Sequence, residues 1–421
     1  MAMQHEVRDP IHNFILFDDF EKRLIDSEPL QRLKHIKQLA LTCEVYPGAT
    51  HTRFEHSLGT MELATQAFDT IVRKRRALEN LKWSDEEIWE YRRVLRVGAL
   101  LHDIGHAPFS HAPEQLLPPG YKSHESFSEA FIRSSYVMPL LQRRTFTFVP
   151  DQVVAIALGP ERKPQEDASL HLLQEIVAGE LGVDRMDYLV RDALHSGAAA
   201  GRFDYHRLLN TLTVIEHPTN GTPVLAIEEG GLRAAEGLLL ARYFMFLQVY
   251  FHDVRRIYDR HLQDFLSEYL AEGHFPAQLD EYMKLTDDTV GAAIAEAAAG
   301  EGRLADLALR LLHRNHYRLV KQITPKDPEI LENLSDHLRS RFQDRVRTDE
   351  VGKEPHTLEL GQLYIERDDD TPEDVLSMSE LIRALKPVGF GRVYAHREVR
   401  EEVRKACDEF LKGREDRHEG R

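Results

Sequence analysis

A chain of 421 residues, 42% hydrophobic and 29% charged, can bury a sizeable core and has the balance of a globular protein built as one large domain with an appendage. Its formal charge of −16 disfavours a general nucleic-acid binder, which carries a basic balance, but leaves room for a small anionic substrate whose field a metal and a few arginines set locally. Two cysteines, Cys43 and Cys407, are too few for a disulfide framework or a thiolate metal site; with no apolar signal region at the N-terminus and no membrane-length apolar run, the expectation is a cytoplasmic protein.

Residues 5–20 read as a turn and a short extended segment. An apolar stripe at helical spacing follows through Leu24, Ile25, Leu30, Leu33, Ile36 and Leu39, and Pro47-Gly48 breaks it. The segment from Ala49 to Gly59 opens a helix that continues through Leu63, Ala64, Ala67, Phe68 and Ile71; Arg53 and His56 share one of its faces. Taken alone, His56 is more often a hydrogen-bonded core histidine than a ligand. Ser84 caps the next helix, with Glu87 completing the capping box, and that helix leads through Leu95 to His102-Asp103. Gly105, Pro108 and Pro113 then force a turn carrying His106 and His111, and Ser123-His124-Glu125 opens another helix. From Leu172 to Ala193 the pattern is helical, interrupted around Gly179–Gly182. Asp184, Tyr188 and Asp192 fall on one stripe, and Val183, Met186, Leu189 and Val190 supply the packing side. In isolation this segment reads as a charged amphipathic helix whose acids are merely solvated.

Leu212–Ile215 and Val224–Ile227 form a hairpin around an Asn-Gly turn. A long helix with an aromatic core stripe from Tyr243 to Tyr258 follows, then an Ala-rich helix at 289–300. From residue 350 the texture changes: a strand at Thr357–Ile365, a charged turn at Asp368–Asp370, a short helix at Ser377–Leu385, a strand at Gly391–Ala395, a final helix at Glu398–Leu411 and a polar tail. The expected organisation is a core over 1–349 and a small α+β region over 350–421. No P-loop is present, which counts against P-loop phosphate chemistry.

The run Val97-Gly98-Ala99-Leu100-Leu101-His102-Asp103 contradicts itself as ordinary packing. A core helix avoids an unpaired carboxylate, because desolvating the charge is expensive, and a solvated face has no use for Ala-Leu-Leu. A bound cation resolves the conflict, since Asp and neutral His are both good ligands for a divalent ion.

His56, His102-Asp103 and Asp184, in that order and on helices, resemble the H…HD…D signature of the HD-domain metal-dependent phosphohydrolases, a mainly α helical-bundle fold, here with a β-hairpin insertion. Longer blocks, among them Asp9-Pro10-Ile11-His12, Gln31-Arg32-Leu33, Ile36-Lys37-Gln38-Leu39, Arg53 to Gly59, His102 to His111 and Asp184 to Asp192, are similar to the deoxynucleoside-triphosphate triphosphohydrolase branch over residues 5–260. The resemblance implies His56, His102, Asp103 and Asp184 as ligands of one divalent ion (Mn, Fe, Co, Ni, Zn or Mg), with an additional Mg accompanying the nucleotide. It implies His111 as the acid/base, with His106, His124 and Glu114 around it, and Arg53 and Arg185 at the phosphates. Gln38, with Leu39 beside it, and Asp192 would hold the sugar 3′-hydroxyl, and Tyr188 and Tyr258 would pack on the sugar. The implied reaction cleaves a dNTP at the α-phosphorus to deoxynucleoside and triphosphate, in a homo-oligomer (dimer or tetramer) without membrane or nucleic-acid partners.

Several positions depart from the branch. Arg185 stands for a Lys, and Glu114 for an Asp; the contacts near Tyr250 and Asp259 are altered. The activator pocket for dGTP or GTP is half present: Asp26 and Gln31 match, Lys34 stands for Arg, and Arg8 for Asn. Three other readings compete. One is an HD phosphohydrolase acting on a monophosphate, cyclic dinucleotide or alarmone; another is a nucleotide-sensing oligomer with a structural metal; the third is a single-strand nuclease. Gln38, Tyr188, Asp192 and Tyr258 weigh against the first, and Arg53, His106, His111 and His124 against the second. The acidic balance weighs against the third.

Overall fold

The computed structural model describes residues 4–142, 150–163, 165–323, 329–353, 358–359 and 361–419, and the protein is mainly α-helical. The chain divides into two compact units: residues 1–245, 275–289 and 356–385 in one, and 246–274, 290–355 and 386–421 in the other.

In the first unit a hairpin pairs His5–Asp9 with Asn13–Phe17, Asn13 turning it in the left-handed region at φ 64°. Six helices then build the bundle: α1 (Arg53–Arg73), α2 (Asp85–Leu101), α3 (His124–Ile132), α4 (Pro150–Arg162), α5 (Ala168–Ala178) and α6 (Val183–Ser196). The Ser84 hydroxyl accepts the Glu87 N–H and the Glu87 carboxylate accepts the Ser84 N–H, so the expected capping box starts α2. α1 packs on α2 and on α6. Its fit against α6 depends on Gly59: a Cβ there would lie 2.1 Å from Asp187 Oδ1. Leu58, Met61, Leu95, Leu100, Val183, Met186 and Leu189 on these helices are buried. The hairpin Leu212–Glu216 with Pro223–Glu228 forms as expected, and it grows into a four-stranded sheet by parallel pairing with Tyr364–Glu366, which pairs in turn with Pro372–Asp374.

The second unit holds helices Asp253–Tyr269, Arg303–Leu311, Glu329–Phe342 and Arg400–Glu419. They accompany an antiparallel sheet with Val388–Ala395 between Arg318–Ile323 and Val346–Lys353. Leu334, Leu338, Val393, Val403, Ala406 and Cys407 share one buried cluster there. Asp349 is buried between Arg256 and Arg260, at 2.7 Å from each.

Several expectations are corrected. The stripe from Leu24 to Leu39 is not one helix; the chain goes extended at Ser27 and restarts at Glu28–Arg32 with Pro29 in the first turn, where its missing N–H costs nothing. The aromatic helix is also two, Leu232–Met245 and Asp253–Tyr269, separated by a π turn at Phe246–Tyr250; His252 caps the second by accepting the Val254 N–H at 3.2 Å. Phe244 on that stripe is exposed rather than core. Residues 350–421 are not one appendage: 356–385 joins the first unit, because its strands extend that unit's hairpin sheet, and 386–421 joins the second, whose central strand it supplies. The strand expected at Thr357–Ile365 is confined to Tyr364–Glu366, with Thr357 and Gly361's neighbour at 360 outside the described residues. The short helix at Ser377–Leu385 is two, Val375–Met378 and Glu380–Ala384, and the final helix runs on to Glu419 through most of the expected tail. Among the described residues no helix is long and apolar enough to cross a membrane.

Candidate metal and phosphoryl site

Three helix segments bring the signature residues together. His56 lies one turn into α1, His102-Asp103 follows the C-terminus of α2, and Asp184 sits in the first turn of α6. His56 Nε2 lies 3.0 Å from Asp184 Oδ1 and 3.6 Å from Asp103 Oδ2. His102 Nε2 is 3.4 Å from Asp103 Oδ1 and 3.6 Å from Asp184 Oδ1. The donor atoms of His56, His102 and Asp184 lie within 4.8 Å of one another, a spacing that suits a metal ion. His102 supplies a sharper sign of fit. Its Nδ1 lies 2.8 Å from the Ala99 carbonyl, which fixes the proton on that nitrogen, so buried Nε2 presents a lone pair with no hydrogen-bond partner among the described residues.

Asp184 keeps partial exposure, with 29% of its side chain accessible, but the other acids are not solvated: Asp187 and Asp192 on α6 are buried with Arg191 behind the donors. Asp187 lies 2.8 Å from His56 Nδ1, 2.7 Å from His12 Nε2, and accepts Arg191 Nε–H and Nη2–H at 2.8 and 2.9 Å. Arg191 reaches on to Asp9 at 2.9 Å, whose other oxygen accepts the Ile11 and His12 N–H groups. This is the arrangement in which a carboxylate holds the far nitrogen of a metal-facing histidine and sets its tautomer. Burial alone would push the His56 imidazole down; its bonds to Asp184 and Asp187 outweigh that and hold it up at about 10. Burial likewise opposes ionisation of Asp187, and Arg191 with the two histidines overcomes it, keeping the carboxyl well below its ordinary range. Asp103 is also held low, against burial, by the Arg53 guanidinium and the neighbouring histidines. Arg53 itself is buried, hydrogen-bonded to Asp103 and, at 2.8 Å, to the Ser110 hydroxyl.

Beside the donors stands a second set on the turn after α2 and the start of α3. The His106 and His124 rings stack with centroids 3.7 Å apart, and His111 meets both edge-on. Glu114 joins His111 Nδ1 at 3.0 Å to His124 Nδ1 at 2.8 Å, and its carboxyl is held far below its usual value by these two bonds, against burial. His106 Nε2 approaches Asp103 Oδ1 at 3.2 Å, which links the two sets.

Gln38 and Asp192 are brought to the same unit through His51. The His51 carbonyl accepts the Gln38 N–H at 3.0 Å, and its Nε2 lies 2.8 Å from Asp192 Oδ1. Gln38 Oε1 is buried without a hydrogen-bond partner among the described residues, and Leu39 is buried beside it. The Tyr188 ring meets His56 edge-on at 6.4 Å. Arg185 is tied to Glu180 at 3.0 Å and to the Gly179 carbonyl at 2.7 Å. Tyr258 belongs to the second unit, buried with its hydroxyl 3.1 Å from His316 Nδ1. Of the half-matched pocket, Gln31 accepts from Lys34 at 2.7 Å, Lys34 also lies over the Phe54 ring, Asp26 pairs with Lys22, and Arg8 lies over Phe14. The sequence pattern alone gives no role to His12, His51, Asp187 or Arg191. The Asp187–Arg191 spacing of one helical turn was the available signal, and burial alone gives it meaning.

A helical bundle that converges two histidines and two aspartates from three segments in this order defines an HD-type hydrolase centre. Residues 53–192 match the HD domain and 203–345 the HD-associated region. The chain is 39% identical to the uncharacterised protein MJ1154 of Methanocaldococcus jannaschii over 60% of its own length and 47% of that protein, so it spans about half of this relative. It is 30% identical to the uncharacterised YwfO of Bacillus subtilis, covering 75% of this chain and 71% of that one. Bovine deoxynucleoside triphosphate triphosphohydrolase SAMHD1 is 27% identical over 96% of this chain and 72% of its own. The crystal structure of a hypothetical protein from Aquifex aeolicus superposes with a TM-score of 0.79 at 34% identity, covering 96% of this chain and 99% of that one. The chain belongs to the HD-domain phosphohydrolase family.

Proposed function

We propose that the protein is a dNTP triphosphohydrolase that attacks the α-phosphorus and releases a deoxynucleoside and inorganic triphosphate. The observation that carries this reading is the pairing of the His56, His102 and Asp184 donor cluster, with Asp103 beside it, with a separate, glutamate-held histidine set, on a chain related along 96% of its length to a protein named for that activity. His56, His102, Asp103 and Asp184 would hold one divalent ion, which when bound polarises a phosphoryl oxygen and acidifies water. Arg53, fixed between Asp103 and Ser110, contributes positive charge at the edge of the donors, where phosphoryl transfer depends on charge stabilisation. A water oxygen forms the new bond to the α-phosphorus and gives up a proton to solvent, the bond to the 5′ oxygen breaks, and that oxygen takes a proton from His111, which solvent restores. Glu114 fixes His111 Nδ1, leaving Nε2 as the proton carrier, and His106 and His124 hold its ring in place.

Gln38 Oε1, without a hydrogen-bond partner among the described residues, and the buried Asp192 suit a sugar hydroxyl as donor, with Leu39 and Tyr188 against the sugar. Arg185 contacts phosphate by exchanging Glu180 for it. An Mg ion accompanies the nucleotide, dGTP or GTP occupies the site around Asp26, Gln31 and Lys34, and the active form is a homo-oligomer.

The test is a product assay with Mn²⁺, each dNTP, ATP and GTP, with and without dGTP. Deoxynucleoside plus intact triphosphate is expected; orthophosphate or diphosphate would sink the α-phosphorus reading. His111→Ala is expected to abolish turnover with metal content intact, and full activity in that variant would remove His111 from the acid role.

A further inference from the structure

We infer that Asp287 is a positioning residue that ties the loop carrying His111 to the segment carrying Gln38, so that one buried carboxylate sets two parts of the site together. The inference rests on the roles proposed above for His111 and Gln38. It starts from backbone strain. Phe109 and Ser110, immediately before His111, are consecutive non-glycine residues in the left-handed region, at φ 58° and 57°. Such a conformation costs roughly 1–2 kcal/mol per residue and persists only where the surroundings over-determine it.

The surroundings do. Asp287, 6% exposed, opens the helix Asp287–Ala298 and accepts the Phe109 N–H at 2.6 Å on one oxygen and the Lys37 N–H at 2.9 Å on the other. The Ser110 hydroxyl closes the ring by donating to the Lys37 carbonyl at 2.6 Å. Two further bonds fix the start of the loop. Arg32 donates to the His106 carbonyl at 2.9 Å, and the Tyr282 hydroxyl to the Gly105 carbonyl at 2.9 Å, with the guanidinium lying over the Tyr282 ring. Lys37 precedes Gln38, and Phe109 lies two residues before His111. A carboxylate with two oxygens can accept both N–H groups; an amide, with one oxygen, satisfies only one of them. Burial pushes the Asp287 carboxyl up to about 6, against the pull of the two N–H bonds, so the group sits in the site at a real cost in solvation.

The experiment compares full-length, metal-loaded wild type with Asp287→Asn and Asp287→Ala, and with Asp288→Asn as control, since Asp288 is exposed and pairs with His35 on the surface. The expected result is wild-type metal content in all four, with kcat falling and KM rising in the Asp287 variants. The loss in kcat/KM should be about 10–100-fold, the scale of a misplacement near 1 Å, and greater for Ala than for Asn. Asp288→Asn should leave both constants unchanged. Unchanged kcat and KM in folded Asp287→Ala would overturn the inference. If wild type turned over no dNTP, the proposed function would fail separately; the inference would then be read from NMR of the His111 imidazole and the Lys37 and Phe109 amides. Displaced His111 resonances together with faster exchange at both amides in Asp287→Asn would uphold it, and an unchanged His111 with protected amides would overturn it.

Discussion

Replacing Asp187 by Asn keeps the shape of the side chain and removes the charge on which three cationic or potentially cationic groups converge. In the wild type its two oxygens serve His12, His56 and two nitrogens of Arg191, all with buried side chains. An asparagine offers one oxygen, and turns an N–H pair toward donors that cannot accept it. Arg191 would retain Asp9 at 2.9 Å and a distant Glu55 at 3.7 Å, which leaves it under-compensated in a buried site. Breaking a buried ion pair from one side costs about 3–5 kcal/mol. In a domain of this size that lowers Tm by on the order of 10 °C. Loss of the carboxylate behind His56 should weaken metal binding roughly 10–100-fold.

The two effects separate by assay. Thermal unfolding of metal-free protein reports the network, and metal titration at a temperature where both proteins are folded reports the donor. The pH dependence carries a sign. The folded Asp187 carboxyl lies well below its unfolded value near 3.9, so its contribution is complete above about pH 4 and is lost as pH falls through the folded value. Wild type should therefore lose its advantage over the variant only in strong acid, with a constant difference between pH 5 and 8 from this group. An Asp187→Asn protein with wild-type Tm and metal affinity would refute the claim that this carboxylate orients His56.

Two other outcomes follow from the packing and the titratable groups. Gly59→Ala places a methyl 2.1 Å from Asp187 Oδ1 and 2.3 Å from Arg191 Nη2, so calorimetry should show a destabilisation of about 1–3 kcal/mol, accompanied by weaker metal binding from the same displaced carboxylate. In the second unit, burial and the charges of Arg318 and Arg314 push His316 down to about 4. The unfolded chain therefore binds the extra proton first, and this contribution to stability is full above pH 6.5 and is lost as pH falls toward 4. It should amount to on the order of 1–2 kcal/mol after solvent screening, and His316→Gln should flatten that part of the stability profile.

The sequence by itself singled out the residues proposed to face a metal, because their chemistry conflicts with any ordinary packing role. An apolar run ending in His102-Asp103 states its own contradiction, and the order His56, His102-Asp103, Asp184 carried the family. It also determined the local starts and turns that rest on one or two residues: the Ser84–Glu87 box, the break at Gly179–Gly182 and the hairpin of 212–228. Tertiary structure alone decided the rest, because it depends on contacts far apart along the chain. The periodicity of α6 shows which residues share a stripe, but a charged stripe reads as solvated until α1 and the Asp9–His12 turn are seen to cover it; Asp187, 131 residues from His56, then becomes a buried support. Nothing near Asp287 in sequence marks it out, since its partners are the backbone N–H groups of Lys37 and Phe109, 250 and 178 residues away. A backbone donor carries no signature in residue type. The division of residues 350–421 between two units has the same origin, for strand partners are chosen by where sheet edges lie, and a strand's own sequence does not say which edge it will meet.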